Sequence, residues 1–169
     1  MRSTFYLKIL VLLIVMIYFI NSSVTYEKWH FLDGVNLLIH EAGHIVFMPF
    51  GEFISIAGGS ILQVLIPTAF VIYFFRKEML YSGSLVMFWV GQSIINMSVY
   101  MKDAIEMKLP LLGGGIHDWN FIFGRLNLLS KTQFIGSLFY FLGFLIIIIA
   151  GIFGLHSILK SKQDKILTI

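Results

Sequence analysis

The chain has 169 residues, of which 58% are hydrophobic and only 12% charged, with a formal net charge of +3. A soluble globular domain carries about 25% charged residues, so this composition excludes an ordinary soluble domain and identifies a single-domain integral membrane protein. The small positive charge forms no basic stripe, which excludes nucleic acid as a partner, and the absence of cysteine excludes disulfides, thiolate metal ligands and a cysteine nucleophile.

In chain order, five apolar runs read as transmembrane helices, making an all-α polytopic fold. The first covers about residues 4–20, with Arg2 ahead of it and Lys8 snorkelling. No A-x-A cleavage site follows, so it reads as a retained span rather than a signal peptide. A polar connection comes next, in which Trp29 is an interface anchor, His30 is solvated and Asp33 caps a helix N-terminus.

The second run, 33–50, contains His40-Glu41-Ala42-Gly43-His44 and ends at Pro49 and Gly51. On a helix, positions i and i+4 share a face, so His40 and His44 can address one ion. Neutral imidazole suits Zn²⁺, and two His with one further protein ligand leave a position open for water. Glu41 stands where its carboxylate reaches that water as general base. Ionisable groups among so many apolar neighbours are costly without partners and carry a functional expectation.

Residues 52–59 are β-prone at Phe53-Ile54-Ser55-Ile56 and then read Gly58-Gly59. They are expected to form a short extended or re-entrant segment lining a cavity, whose edge accepts an extended peptide; a plain turn is the alternative. The third span is 59–75, where Gly58, Gly59 and Gln63 are assigned to the cavity or to helix packing. The fourth is 81–101, where Gln92 and Asn96 make a polar face with the same two readings. The fifth is 134–157, which ends in His156 and is followed by a lysine-rich tail at the interface.

The long connection 102–133 carries the remaining ligand. Counting spans places it on the side of the membrane where the motif helix exits, beside the metal. Asp118 is preferred as third ligand, with His117 and Asp103 as alternatives. Whichever of His117 and Asp118 is not the ligand would orient one. Gly113-Gly114-Gly115 would permit close backbone approach. Without a metal, Asp118 would be the N-cap of a helix beginning near Trp119.

Together, His40-Glu41-x-x-His44 in an apolar span, Gly58-Gly59 soon after, and the later Leu109-Pro110-Leu-Leu and His117-Asp118-Trp119 resemble the site-2 protease family of membrane-embedded zinc metallopeptidases, and small bacterial membrane proteins related to it. The similarity covers about residues 35–129. It implies His40 and His44 as zinc ligands, Glu41 as base, a later aspartate as third ligand, and a transmembrane protein or peptide as substrate in a bacterial cytoplasmic membrane. A non-catalytic metal-binding scaffold or a transporter is the competing expectation.

Overall fold

The computed structural model describes residues 2–109 and 116–167. Among them every regular element is helical: α1 (Arg2–Val24), α2 (Phe31–Phe47), α3 (Glu52–Arg76), α4 (Leu80–Asp103), α5 (Asp118–Arg125) and α6 (Thr132–Leu167), with 3₁₀ turns at Met48–Phe50 and Leu129–Lys131. In hydrocarbon every backbone N–H and C=O must find a partner within its own segment, so apolar runs of this length fold as helices.

Four helices, α1, α3, α4 and α6, are long and apolar enough to cross a bilayer. The fifth expected span, α2, is shorter at 17 residues. Its outward stripe of Phe31, Leu38 and Ile45 is nevertheless exposed. Such an apolar face on a helix suits contact with lipid.

The bundle is organised around α4. In its most apolar window 56% of α4 is buried, against 22%, 33% and 28% for α1, α3 and α6. On one side α4 packs along α6 and against α1, where Leu12, Phe19, Phe88, Ile95, Ile147 and Ala150 form the main core. A Cβ added at Gly91 or Gly143 would lie 2.6 Å from the other's carbonyl oxygen, so both positions must be glycine for α4 and α6 to touch. On its other side α4 supports α3, and α3 carries α2. Here a second core of Ile56, Met97, Met101, Ile122 and Phe123 joins α3, α4 and α5.

Two expectations are corrected. Residues 52–59 are the first two turns of α3, not an extended segment, so they present no strand edge. The β-prone side chains lose to the backbone, because an unpaired strand would leave polar groups unsatisfied. Gly51, at φ +93°, makes the turn that restarts the helix, a conformation glycine adopts without strain. Asp33 is not the N-cap: His30 holds that position, and Asp33 is the third residue of α2, buried in its first turn. His30 is half-buried, its Nε2 3.1 Å from the Thr25 carbonyl.

The α4–α6 crossing yields a test remote from the motif. Gly143→Val overpacks a backbone contact and is expected to cost at least about 1–3 kcal/mol, read as a lower thermal-unfolding midpoint in detergent.

Candidate metal centre

Helical spacing places His40 and His44 one turn apart on α2, with ring centroids 4.7 Å apart. Each ring is held by its outer nitrogen. His44 Nδ1 donates to the Ser55 carbonyl at 2.9 Å, and Ser55 Oγ donates back to the His44 carbonyl at 2.9 Å. His40 Nδ1 faces Gln63 Oε1 at 3.3 Å. With both Nδ1 positions engaged by acceptors on α3, both Nε2 lone pairs point the same way.

They point at Asp118. Its Oδ2 lies 2.8 Å from His40 Nε2 and 3.3 Å from His44 Nε2. Two imidazole lone pairs and a carboxylate oxygen cannot converge without a cation between them, either an imidazole proton or a metal ion. Burial, the largest influence, pushes the Asp118 carboxyl up, but the hydrogen bonds to His40 and His44 outweigh it and hold it below the usual carboxylate range. One atom from each residue lies within 4.8 Å of the others, so the trio fits one metal ion. Two His and one carboxylate are a donor set that catalytic zinc sites use.

The site needs α2 and α3 to run almost in contact. A Cβ on Gly59 would stand 2.7 Å from His40 Nε2 and 2.8 Å from His44 Cε1. At Gly58 it would meet Phe47 Cβ at 2.6 Å, and at Gly43 it would collide with the Gly58 carbonyl. Gly58 and Gly59 are therefore the packing surface that seats the imidazoles. Neither lines the cavity, a correction to one of the two roles expected of them.

Asp118 arrives on a separate arm. It is the first residue of α5, and the N-cap is its neighbour His117, whose Nδ1 accepts from the Asn120 amide at 3.2 Å. His117 Nε2, its proton-bearing nitrogen, is buried 3.3 Å from Asp103 Oδ2, outside hydrogen-bond geometry. Asp103 in turn accepts from the Lys108 and Leu109 amides, and Asn120 Nδ2 donates to the Ala104 carbonyl at 2.8 Å. Asn120 thus fastens α5 to the end of α4, with His117 capping the helix and facing Asp103, and Asp118 is left as the carboxylate of the trio. Gly113-Gly114-Gly115 lie outside the described residues.

A cavity of about 320 Å³ opens in front of the trio. Glu41, Gln63 and Asn96 line it, beside Tyr100 and the apolar Leu37, Ile56 and Met97. Ser55, Asn36 and Asn120 hold the site together and were not singled out from the sequence. Serine at 55 with glycine at 58 and 59 follows the i, i+3, i+4 spacing of a small-residue helix face, a signal that the extended reading of that segment obscured. Compared with known protein families, curated proteins and solved structures, the chain matches none.

The ligand assignment is tested by metal content of the purified protein after zinc loading. Wild type is expected to hold near-stoichiometric zinc, and His44→Ala and Asp118→Ala to lose it. His117→Ala and Asp103→Ala, which only loosen the arm, are expected to retain it with affinity lowered about 10–100-fold.

Proposed function

We propose that this chain is a membrane-embedded zinc metallopeptidase that hydrolyses peptide bonds of membrane protein substrates. The observation that carries the reading is the convergence of His40 Nε2, His44 Nε2 and Asp118 Oδ2 on one point, with Glu41 lining the same cavity. Four helices fit to cross a bilayer supply the setting.

In this reading His40, His44 and Asp118 hold the ion. A zinc ion so bound would bring the pKa of a water down to near neutrality and would polarise a carbonyl. Glu41 follows the first ligand directly, on the cavity side of α2. Its carboxylate takes a proton from the attacking water and delivers it to the departing amine nitrogen, so the peptide C–N bond breaks without forming a free anion. Among apolar lining, with few waters, a proton held at the Glu41 carboxylate reaches the leaving group rather than bulk solvent.

The cavity sets the kind of substrate. Leu37, Ile56, Met97 and Ile116 form its walls, which suits an extended, apolar stretch of chain. With Phe53–Ile56 helical, such a stretch is held by side-chain contacts and not by strand pairing. A transmembrane segment locally unwound near the interface has this chemistry. We place the protein in a bacterial cytoplasmic membrane on its Ile-, Phe- and Lys-rich composition.

Glu41→Gln separates hydrolysis from metal holding. The variant is expected to bind zinc as wild type does and to lose about 10²–10⁴-fold in turnover. The assay follows cleavage of apolar transmembrane peptides in proteoliposomes by mass spectrometry. A scaffold or transporter would bind zinc in both forms and release no cleaved product from either.

A further inference from the structure

Beside His40, and partly on the cavity wall at Asp33, Gln63 and Asn96, a connected set of polar side chains crosses from α2 to α4 and α3. Its centre is Asp33. All three of its hydrogen-bond partners are N–H groups: the His30 amide to Oδ2 at 2.7 Å, and Gln92 Nε2 and Asn96 Nδ2 to Oδ1 at 2.6 and 2.9 Å. A carboxylate only accepts, so Asn96 must turn its amide nitrogen to Asp33 and its oxygen the other way. That oxygen accepts from Gln63 Nε2 at 2.9 Å, so Gln63 turns its own oxygen to His40 Nδ1. An oxygen there requires Nδ1 to carry a proton, so in the neutral ring the free lone pair is that of Nε2, the nitrogen that faces Asp118.

Groups whose polarity is beyond doubt agree with these directions. Gln63 Nε2 also donates to the Ser93 backbone carbonyl at 3.2 Å, an acceptor only. On the second branch, the Trp89 indole, a donor only, gives its proton to Asn36 Oδ1 at 2.8 Å. Asn36 Nδ2 then donates to Gln92 Oε1 at 2.7 Å, and Gln92 Nε2 to Asp33. Every amide in both branches therefore has one permitted orientation, and both branches run downhill to the one carboxylate.

We propose that Asp33 is a positioning residue for the metal centre, setting the His40 tautomer through Asn96 and Gln63 so that the Nε2 lone pair is always presented to the ion. The inference rests on reading His40 as a metal ligand. It assigns Asp33 a role beyond capping: the His30 amide uses Oδ2, whereas the line to His40 leaves from Oδ1. In Asp33→Asn one end of residue 33 becomes a donor, so Asn96 is no longer compelled to turn its nitrogen there, and Gln63 keeps its direction only through its 3.2 Å bond to the Ser93 carbonyl. The reversed direction would point the Gln63 amide nitrogen at His40 Nδ1 and place the proton on Nε2, where it competes with the metal.

The experiment uses full-length protein in detergent, wild type beside Asp33→Asn, Asn96→Leu and Gln92→Leu. Zinc affinity is measured by competition with a chelator. The His40 tautomer is read from ring ¹⁵N shifts of ¹⁵N-histidine-labelled, metal-free protein, recorded over a pH series so that neutral rings are compared. The proposal expects His40 in the Nδ1–H form in wild type and in Gln92→Leu. It expects a mixture of tautomers, and a loss of zinc affinity of about 10–100-fold, in both Asp33→Asn and Asn96→Leu. Gln92→Leu removes a comparable buried link off the line to His40, so it is expected to lower the unfolding midpoint and leave zinc affinity unchanged. Equal weakening of zinc binding by Gln92→Leu, or an unchanged tautomer in both Asp33→Asn and Asn96→Leu, would overturn the proposal. Should Asp33→Asn fail to fold, Asn96→Leu, which keeps the Asp33 cap, decides alone. Wild-type protein that binds no zinc would instead sink the metal-centre reading, while the metal-free tautomers still judge the line from Asp33.

Discussion

At Gly43 the backbone of α2 comes so near the backbone of α3 that a single methyl group would strike the Gly58 carbonyl, and the same approach at Gly59 lets α3 pass against two imidazole rings. The His40–His44–Asp118 trio depends on this contact. Nearness alone brings Ser55 and Gln63 within hydrogen-bond reach of His44 and His40, and those two acceptors aim the rings. Small residues at a helix interface are the usual way for helices to gain dispersion contact in a bilayer, where no hydrophobic force pulls them together. Here the same device also sets the depth at which a polar site sits.

The second constraint is electrostatic. α2 is held to α4 largely through Asp33 and Asn36, which meet Gln92, Asn96, Trp89 and Ser93. Each such bond between membrane helices is worth only about 0.6–2 kcal/mol, but a polar group left without a partner there costs more than it would gain. With every donor and acceptor matched the set tolerates one arrangement, and its several links together hold the rotation of α2 about its axis. Rotation of α2 is what turns His40 and His44 inward and leaves Phe31, Leu38 and Ile45 outward.

Asp118 obeys a different logic. It is carried by an eight-residue helix anchored by its own cap, by Asn120 on the Ala104 carbonyl, and by Ile122 and Phe123 in the lower core. A short rigid helix is a more exact support for one carboxylate than a loop would be. Its position at the end of α4 ties the third ligand to the same helix that supports the polar set beside His40. The two histidines and the aspartate are thereby referred to one common scaffold, α4.

Much of this was legible in the chain itself. Apolar runs of membrane length determined the helices, because in hydrocarbon a run of apolar residues has no other way to satisfy its backbone. The i, i+4 spacing of His40 and His44 determined that they share a face, since that follows from helix geometry alone. Counting spans brought the 102–133 connection to the side of the metal and gave preference to Asp118. What the residues could not decide by themselves depended on partners distant in sequence. Whether Phe53–Ile56 is extended or helical turned on the Gly43–Gly58 contact with a neighbouring helix. Whether His117, Asp118 or Asp103 joins the histidines turned on a cap and an anchor at the end of α4. Asp33 read as a local cap because its neighbours in sequence suit one, whereas its hydrogen bonds to Gln92 and Asn96 span 59 and 63 residues. Periodicity and capping are local properties of a chain; the direction of a hydrogen bond is settled only when the fold brings a donor and an acceptor together.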